Sequence, residues 1–301
     1  MRPLRSLFLY LAVVFFGAAL LSPWLYWLVE WAGAYSSIAQ ELSRAPFHRY
    51  VNRALLGLAL VGLWPFLRSI GARSFGDVGL VKPAGQGWKL AGGLALGLGS
   101  LACVAVLAIA AGARSLNVDY TVADLCRRTF SAGLSAVVVA VLEELLFRGA
   151  LFGALRKAHH WASAWLVSSG VYALVHFFQK PPPPEKITWI SGFEMLPRML
   201  HGFAELETLV PGFFALTLTG LILAMGYHRT GSLYFPIGLH AGWVFCLKLY
   251  GFLTAAQPGA DAGFWGTEKL IDGWLALIVL APVLIAVSVW PRQKRSAADA
   301  K

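Results

Sequence analysis

The chain has 301 residues, of which 58% are hydrophobic and only 13% are charged, and its formal net charge is +10. Charged residues this scarce cannot cover the apolar surface of a water-soluble protein, so the composition excludes an ordinary soluble domain. The basic residues lie at the ends of apolar runs and in both tails, as membrane anchors do, and we therefore predict no nucleic-acid partner.

The apolar residues gather into runs that are long enough to cross the hydrocarbon core of a bilayer as helices. Only helices or closed barrels satisfy the backbone in lipid, and these runs lack the alternating pattern of barrel strands. The sequence therefore predicts an all-α protein, a polytopic transmembrane helical bundle of about eight spanning helices. The predicted spans are 7–29, 54–70, 88–111, 131–156, 161–178, 209–228, 232–250 and 270–290.

The predicted spans fall into three regions of the chain. Residues 1–120 hold the N-terminal transmembrane helices and a cytoplasmic loop, residues 121–250 hold a helical core with the candidate site, and residues 251–301 hold the last helix and a basic tail. An even number of spans puts both termini on one side of the membrane, and basic tails favour the cytoplasmic side. We therefore expect a multi-pass protein of the bacterial cytoplasmic membrane, with both termini in the cytoplasm.

The fourth span carries the strongest functional signal, because charged residues interrupt its apolar pattern. Charges in a hydrocarbon core are costly and usually serve a function. On a helix, Glu144 and Arg148 lie four residues apart on one face, which favours an ion pair, whereas Glu143 points about a quarter-turn away. We expect Arg148 to neutralise Glu144 and Glu143 to face another partner. The alternative is a structural ion cluster at a helix end.

Two later spans each carry one histidine at a similar depth. The fourth and fifth spans are expected to form an antiparallel hairpin that turns at His160. Glu143 lies 17 residues before this turn and His176 lies 16 residues after it, so both are roughly 25 Å away from it. His240 lies nine residues after Gly231 and reaches the same depth if the hairpin protrudes by about 11 Å. A lone histidine is usually a packing residue, but two beside a buried carboxylate favour a site.

A carboxylate and two imidazoles inside lipid support peptide hydrolysis in two ways. In the first, Glu143 removes a proton from water that His176 helps to position, and His240 donates to the developing oxyanion. In the second, Glu143, His176 and His240 are candidate ligands of a divalent metal such as zinc, which acidifies its bound water. The sequence lacks a helical His-Glu-x-x-His motif, which slightly favours a mechanism without a metal cofactor.

At these residues the chain resembles the CPBP family, also called the CAAX-protease and bacteriocin-processing or ABI family, which includes the type II CAAX prenyl endopeptidases. The resemblance covers about residues 130–250. Three motifs carry it: Glu143-Glu144-x-x-x-Arg148 in full, Tyr172-x-x-x-His176 with Tyr for the usual Phe, and His240 as the opening of His-x-x-x-Asn or Asp. We therefore expect the fold and activity of this family.

The resemblance implies a helical membrane peptidase, and family members are described both as metalloproteases and as glutamate peptidases. It implies that the residue at Glu143 activates water, that the residue at Glu144 pairs with Arg148, and that both histidines, His176 and His240, belong to the site. The implied substrates are membrane-embedded proteins or membrane-tethered, lipidated peptides in the lipid bilayer. We therefore predict an intramembrane endopeptidase.

One position departs from the family pattern. Val244 stands four residues after His240, where the family usually has Asn or Asp, so a polar partner is missing. The indole N–H of Trp243 could substitute as a donor, although packing is the more ordinary role of a tryptophan in a helix. Tyr172 would bring a hydroxyl to the face of His176, one helical turn away.

Two other classes of function remain open at this point. The missing polar residue at Val244 favours a catalytically inactive scaffold or immunity-type protein of the same fold. Buried glutamate and histidine side chains also serve as proton relays, which would suit a proton-coupled carrier. Carriers commonly contain inverted repeats, and none is detectable in this sequence.

Overall fold

The computed structural model describes residues 2–178, 182 and 184–291, and helices dominate it. The longer helices follow the predicted apolar runs, which confirms the all-α class. The α-helices are α1 Arg2–Ala32, α2 Ser37–Ser43, α3 Phe47–Ser69, α4 Gly87–Ala110, α5 Val122–Glu144, α6 Gly153–Ala158, α7 Trp161–Val175, α8 Ser191–Arg198, α9 Leu206–Thr230, α10 Tyr234–Leu253, α11 Ala262–Trp265 and α12 Trp274–Ser288. A π-helix, Leu145–Phe152, joins α5 to α6.

Six helical segments of the described chain are long and apolar enough to cross a membrane. The six are Arg5–Ala32, Phe47–Ser69, Gly87–Ala110, Val122–Lys157, Leu206–Thr230 and Tyr234–Leu253. The other two predicted spans form α7 and α12, which have 15 residues each and are therefore about 22 Å long. A hydrocarbon core of about 30 Å is thicker than that. The polytopic helical bundle is confirmed, and the total of eight spans stays a prediction.

The chain forms two compact units, which do not follow the order of the sequence. Unit 1 comprises Met1–Arg73 and Phe177–Glu205, and unit 2 comprises Ser74–His176 and Leu206–Lys301. Within unit 1, α1 packs along α3 and α8. The predicted division into 1–120, 121–250 and 251–301 stays a prediction, and most of the basic tail lies outside the described residues.

Unit 2 is organised around α9 and α10. Helices α4 and α5 both pack on α10, whereas α7 and α12 both pack on α9. Two short strands, β1 Arg114–Leu116 and β2 Thr254–Ala256, pair antiparallel and join the ends of α4 and α10. The buried Arg114 side chain donates to Thr254 Oγ1, which reinforces this junction.

Glycines allow α4 and α10 to pack with their backbones in contact. A Cβ atom added to any of four glycines would overlap the backbone of the opposite helix: Gly93, Gly97, Gly238 and Gly242. Each pair is spaced by four residues and therefore lies on one helical face, a pattern typical of closely packed membrane helices. His240 lies between the two glycines of α10 and points away from α4. The glycine contact thus fixes the helix that carries His240.

Replacing Gly97 by valine is expected to force α4 and α10 apart. Overpacking of this kind typically costs about 1–3 kcal/mol, so we expect a lower thermal midpoint in detergent and weaker function. Gly99→Val is the matched control, because Gly99 lies two residues along the same helix and faces open space. Equal midpoints for the two variants would show that the glycine contact does not stabilise the fold.

Candidate active site

Four segments of unit 2 bring the predicted polar residues together. Glu143 and Glu144 are the last two residues of α5, and Arg148 lies in the π-helix that follows. His176 caps the C-terminal end of α7, and His240 lies in the first half of α10. The hairpin predicted around residue 160 is present, since α6 ends at residue 158 and α7 begins at residue 161.

Glu144 and Arg148 form a buried ion pair. Arg148 Nη1 donates to Glu144 Oε1 over 3.0 Å, and the side chains are 2% and 0% exposed. The guanidinium group also lies 4.3 Å from the centroid of the Tyr172 ring, within the range of a cation–π contact. Because a buried charge is costly without a partner, each member of the pair requires the other.

His240 links the two adjacent glutamates. Its Nδ1 lies 2.8 Å from Glu144 Oε1, and its Nε2 lies 3.8 Å from Glu143 Oε2. A carboxylate oxygen accepts hydrogen bonds, so Nδ1 is the nitrogen that donates to Glu144. Glu144 Oε1 therefore accepts from both Arg148 and His240, and this arrangement turns the opposite ring nitrogen toward Glu143.

His176 approaches Glu143 from the other side of the site. Its Nδ1 lies 2.7 Å from the main-chain oxygen of Tyr172, which can only accept a hydrogen bond. Nδ1 is therefore the donor, and Nε2 faces Glu143 Oε2 at 3.7 Å. This separation is longer than a direct hydrogen bond, so the two groups face each other without bonding directly.

The five polar side chains differ in their access to the exterior. Glu143 and His176 are 24% and 29% exposed, whereas His240 is only 4% exposed. Glu144 and Arg148 are fully enclosed behind them. Glu143 Oε2 makes no hydrogen bond within the described part of the chain. The side chains of Glu143 and His176 thus form the more exposed edge of the site, although Glu143 Oε2 itself is buried, and the ion pair of Glu144 and Arg148 forms its floor.

Tyr172 lies at the centre of the site as an aromatic surface. Its ring centroid is 4.4 Å from that of His176 and 6.2 Å from that of His240, and the residue is buried. The ring also packs edge-on against Phe147. The Tyr172 ring therefore lies beside His176, and the delivery of its hydroxyl to the face of His176 stays a prediction.

The environment of Trp243 does not suit a side chain that replaces the missing oxyanion donor. Its Nε1 donates to Ser100 Oγ of α4 over 2.9 Å, and the residue is only 1% exposed. An indole has one N–H, so this donor is already engaged between α4 and α10. The geometry supports a packing role for Trp243. The next residue, Val244, has no polar group in its side chain.

Replacing Trp243 by phenylalanine separates these two roles. We expect cleavage to stay within a few-fold of the unmodified protein, while the lost buried hydrogen bond costs about 1 kcal/mol of stability. An oxyanion donor would behave differently, since its removal typically lowers kcat by about 10²- to 10³-fold. Turnover and the thermal midpoint are measured on the same preparation, and a hundredfold loss of turnover would restore a catalytic role for Trp243.

The candidate metal ligands have suitable chemistry but wide spacing. Imidazole nitrogens and a carboxylate oxygen are ordinary zinc ligands, at about 2.0–2.2 Å from the ion. Within residues 2–178, 182 and 184–291, no group of three or more His, Cys, Asp or Glu side chains is arranged to hold a metal ion. No reaction step is therefore assigned to a metal, and the binding of a metal by Glu143, His176 and His240 stays the less favoured of the two predicted alternatives.

The π-helix and the bond between Glu144 and His240 are features of the site that the sequence did not indicate. The π-helix begins directly after Glu144 and carries Arg148. Single-turn or short π-helical segments occur frequently at functional sites. The apolar pattern of the fourth span continues through this segment, so the sequence analysis did not separate it from an α-helix.

Comparison with known families agrees with the motifs. Residues 127–246 match the family model described as Type II CAAX prenyl endopeptidase Rce1-like. The matched segment includes both glutamates, the arginine and both histidines of the site, which confirms the resemblance noted from the sequence. No curated protein and no solved structure matches the chain. The match and the six apolar helices together support an integral membrane protein.

Proposed function

We propose that the chain, whose residues 127–246 are similar to type II CAAX prenyl endopeptidases, is an intramembrane endopeptidase that uses Glu143 to activate water. At the level of the family, the match supports a CAAX-type intramembrane endopeptidase. One observation carries the finer proposal: Glu143 Oε2 lies 3.7 and 3.8 Å from ring nitrogens of two histidines on separate helices. Both separations exceed a direct hydrogen bond, so these groups are candidates for sharing a water molecule.

The depth of the site supports a substrate that is embedded in or tethered to the membrane. Glu143 belongs to the helical segment Val122–Lys157, which is 36 residues long. It lies 14 residues before Lys157, or about 21 Å along the helix, which is well inside the bilayer. A peptide bond at this depth belongs most readily to a transmembrane segment or to a chain held at the membrane by a lipid.

Two hydrogen-bond acceptors, His176 Nε2 and the Glu143 carboxylate, determine how a water molecule would be held. In neutral His176, Nδ1 donates to Tyr172, so Nε2 presents a lone pair, and the Glu143 carboxylate also accepts. A water molecule between them would donate one hydrogen to each group. Its oxygen lone pair would then be free to attack the substrate carbonyl carbon. As the C–O bond forms, Glu143 takes a proton from the water.

The remaining residues would stabilise the intermediate and complete the reaction. When His240 carries both ring protons, Nε2–H can donate to the oxyanion while Nδ1–H stays on Glu144. Glu144 and Arg148 would hold this ring in place, as the third member of a catalytic triad does. Glu143 then passes its proton to the leaving amine, the C–N bond breaks, and the water oxygen remains in the new carboxyl group.

Cleavage in proteoliposomes tests this proposal directly. The purified protein is offered a prenylated C-terminal peptide and an unmodified transmembrane peptide, in water enriched in ¹⁸O, and products are read by mass spectrometry. We expect a new C-terminus that carries one ¹⁸O atom, and none from a His176→Ala, His240→Ala double variant. Product formation by the double variant would overturn the assigned roles. A chelator arm tests metal dependence, since activity restored by zinc would favour the metal mechanism.

A second candidate function follows from the side chain at Val244. A catalytically inactive scaffold or immunity-type protein of the same fold would not need the missing polar group. In that case full biological activity would survive a Glu143→Gln, His176→Ala double substitution. Cleavage of either peptide that depends on Glu143 would exclude this candidate.

A further inference from the structure

The two ends of unit 2 differ in charge. Helices α4, α7 and α10 begin at the end where α6, α9 and α12 finish, and we call this the basic end. In the described chain, the basic end has five cationic residues and one carboxylate: Lys82, Lys89, Arg156, Lys157, Arg229 and Asp77. The opposite end has five cationic residues and six carboxylates: Arg114, Arg127, Arg128, Lys248, Lys269, Asp119, Asp124, Glu207, Asp261, Glu268 and Asp272.

The turn between α6 and α7 presents adjacent cations at the basic end. Arg156 and Lys157 are both exposed, and neither forms an ion pair with a carboxylate of the described residues. The negative end of the α6 dipole and the positive end of the α7 dipole both point into this turn, so its positive charge comes from the two side chains. Trp161 and Trp165 stack at the start of α7 with ring centroids 5.1 Å apart, and tryptophan is enriched at membrane interfaces.

A second pair of adjacent cations lies at the other end of the same helical segment. Arg127 is paired with Asp124 over 3.3 Å, and Arg128 lies over the Phe252 ring. The 27 residues that separate Arg128 from Arg156 span about 40 Å. A bilayer measures about 40–45 Å when its headgroup layers are included. The spacing therefore puts each basic pair in the headgroup layer of a different leaflet.

We propose that the turn between α6 and α7, with Arg156 and Lys157, binds the headgroups of anionic phospholipids. Two neighbouring cations that have no carboxylate partner among residues 2–178, 182 and 184–291 attract a negatively charged phosphodiester, as juxtamembrane basic clusters do. A zwitterionic headgroup carries its own cation and gains less from this attraction. Arg127 is already neutralised by Asp124, so the pair at the opposite end lacks this preference.

Lipid retention by two matched double variants tests this inference. Delipidated protein in neutral detergent is mixed with equal amounts of phosphatidylglycerol and phosphatidylcholine, and bound lipids are counted by native mass spectrometry. We expect the unmodified protein to retain phosphatidylglycerol several-fold over phosphatidylcholine. Arg156→Gln, Lys157→Gln should lose this preference, and Arg127→Gln, Arg128→Gln should keep it. The readout is lipid binding, so its outcome does not depend on the proposed peptidase activity.

Three results would overturn the inference. The first is a lack of preference for phosphatidylglycerol in the unmodified protein. The second is an equal loss in both double variants, which would assign the effect to overall charge. The third is displacement of phosphatidylglycerol by excess inorganic phosphate, which would assign the site to a free anion. Thermal midpoints of both variants verify that each is folded when its lipids are counted.

Discussion

Glu143→Gln is expected to lower the kcat of peptide cleavage by about 10²- to 10⁴-fold, the usual contribution of a general base. Glutamine has nearly the same shape as glutamate but cannot take a proton from water. Glu143 is partly exposed and its Oε2 lies 3.7 Å or more from both histidines, so the change leaves the buried ion pair intact. The thermal midpoint should therefore change little. Turnover of a peptide in proteoliposomes measures the effect.

Glu143→Asp is the control for the position of the carboxylate in the preceding experiment. It keeps the charge and withdraws it by one methylene group, so we expect an activity between those of the unmodified and glutamine forms. Turnover of Glu143→Gln within a few-fold of the unmodified protein would contradict the assigned role. A loss of activity with a large drop in thermal midpoint would instead indicate a structural role for Glu143.

Arg148→Met is expected to destabilise the protein by about 3–5 kcal/mol, because it leaves the fully buried Glu144 carboxylate without its cation. Adding Glu144→Gln removes the orphaned charge, so the double variant should recover much of the lost stability. The free energy of unfolding is measured by titration with a denaturing detergent. Additive losses in the double variant would show that the two side chains do not stabilise each other.

Arg127→Met provides a matched control, since it also removes an arginine that pairs with a carboxylate on α5. Arg127 and Asp124 are 3.3 Å apart, but their side chains are 73% and 42% exposed. Exposed ion pairs contribute about 0–1 kcal/mol, so this variant should unfold near the unmodified protein. The contrast between the two arginines would then measure the effect of burial.

Much of the fold follows from the sequence because lipid leaves few alternatives for an apolar segment. All eight predicted runs correspond to helices, but α7 and α12 are shorter than the hydrocarbon core. An apolar pattern identifies a segment that avoids water, but it does not fix the residue at which the hydrogen-bonded helix ends. The hydropathy of the runs likewise says nothing about β1 and β2, which form through main-chain pairing.

The site was predicted in part, for reasons that can be traced to single residues. Counting residues from the turn placed Glu143 and His176 at one depth, because helical rise is nearly constant. Depth does not decide which of two neighbouring carboxylates a third helix meets, so the bond between His240 and Glu144 was missed. The partner of Trp243 depends on the close approach of α4; the glycine spacing on α10 indicates such an approach but not which helix makes it.

His176 performs a second task that follows from its place at the end of α7. The last turn of a helix leaves main-chain oxygens without amide partners. The imidazole Nδ1 takes the position of such an amide on the Tyr172 oxygen, so the ring both closes the helix and aims its other nitrogen. Reactivity and helix termination therefore depend on a single side chain. A change that removes this imidazole would unravel the terminal turn and misdirect the chemistry in one step.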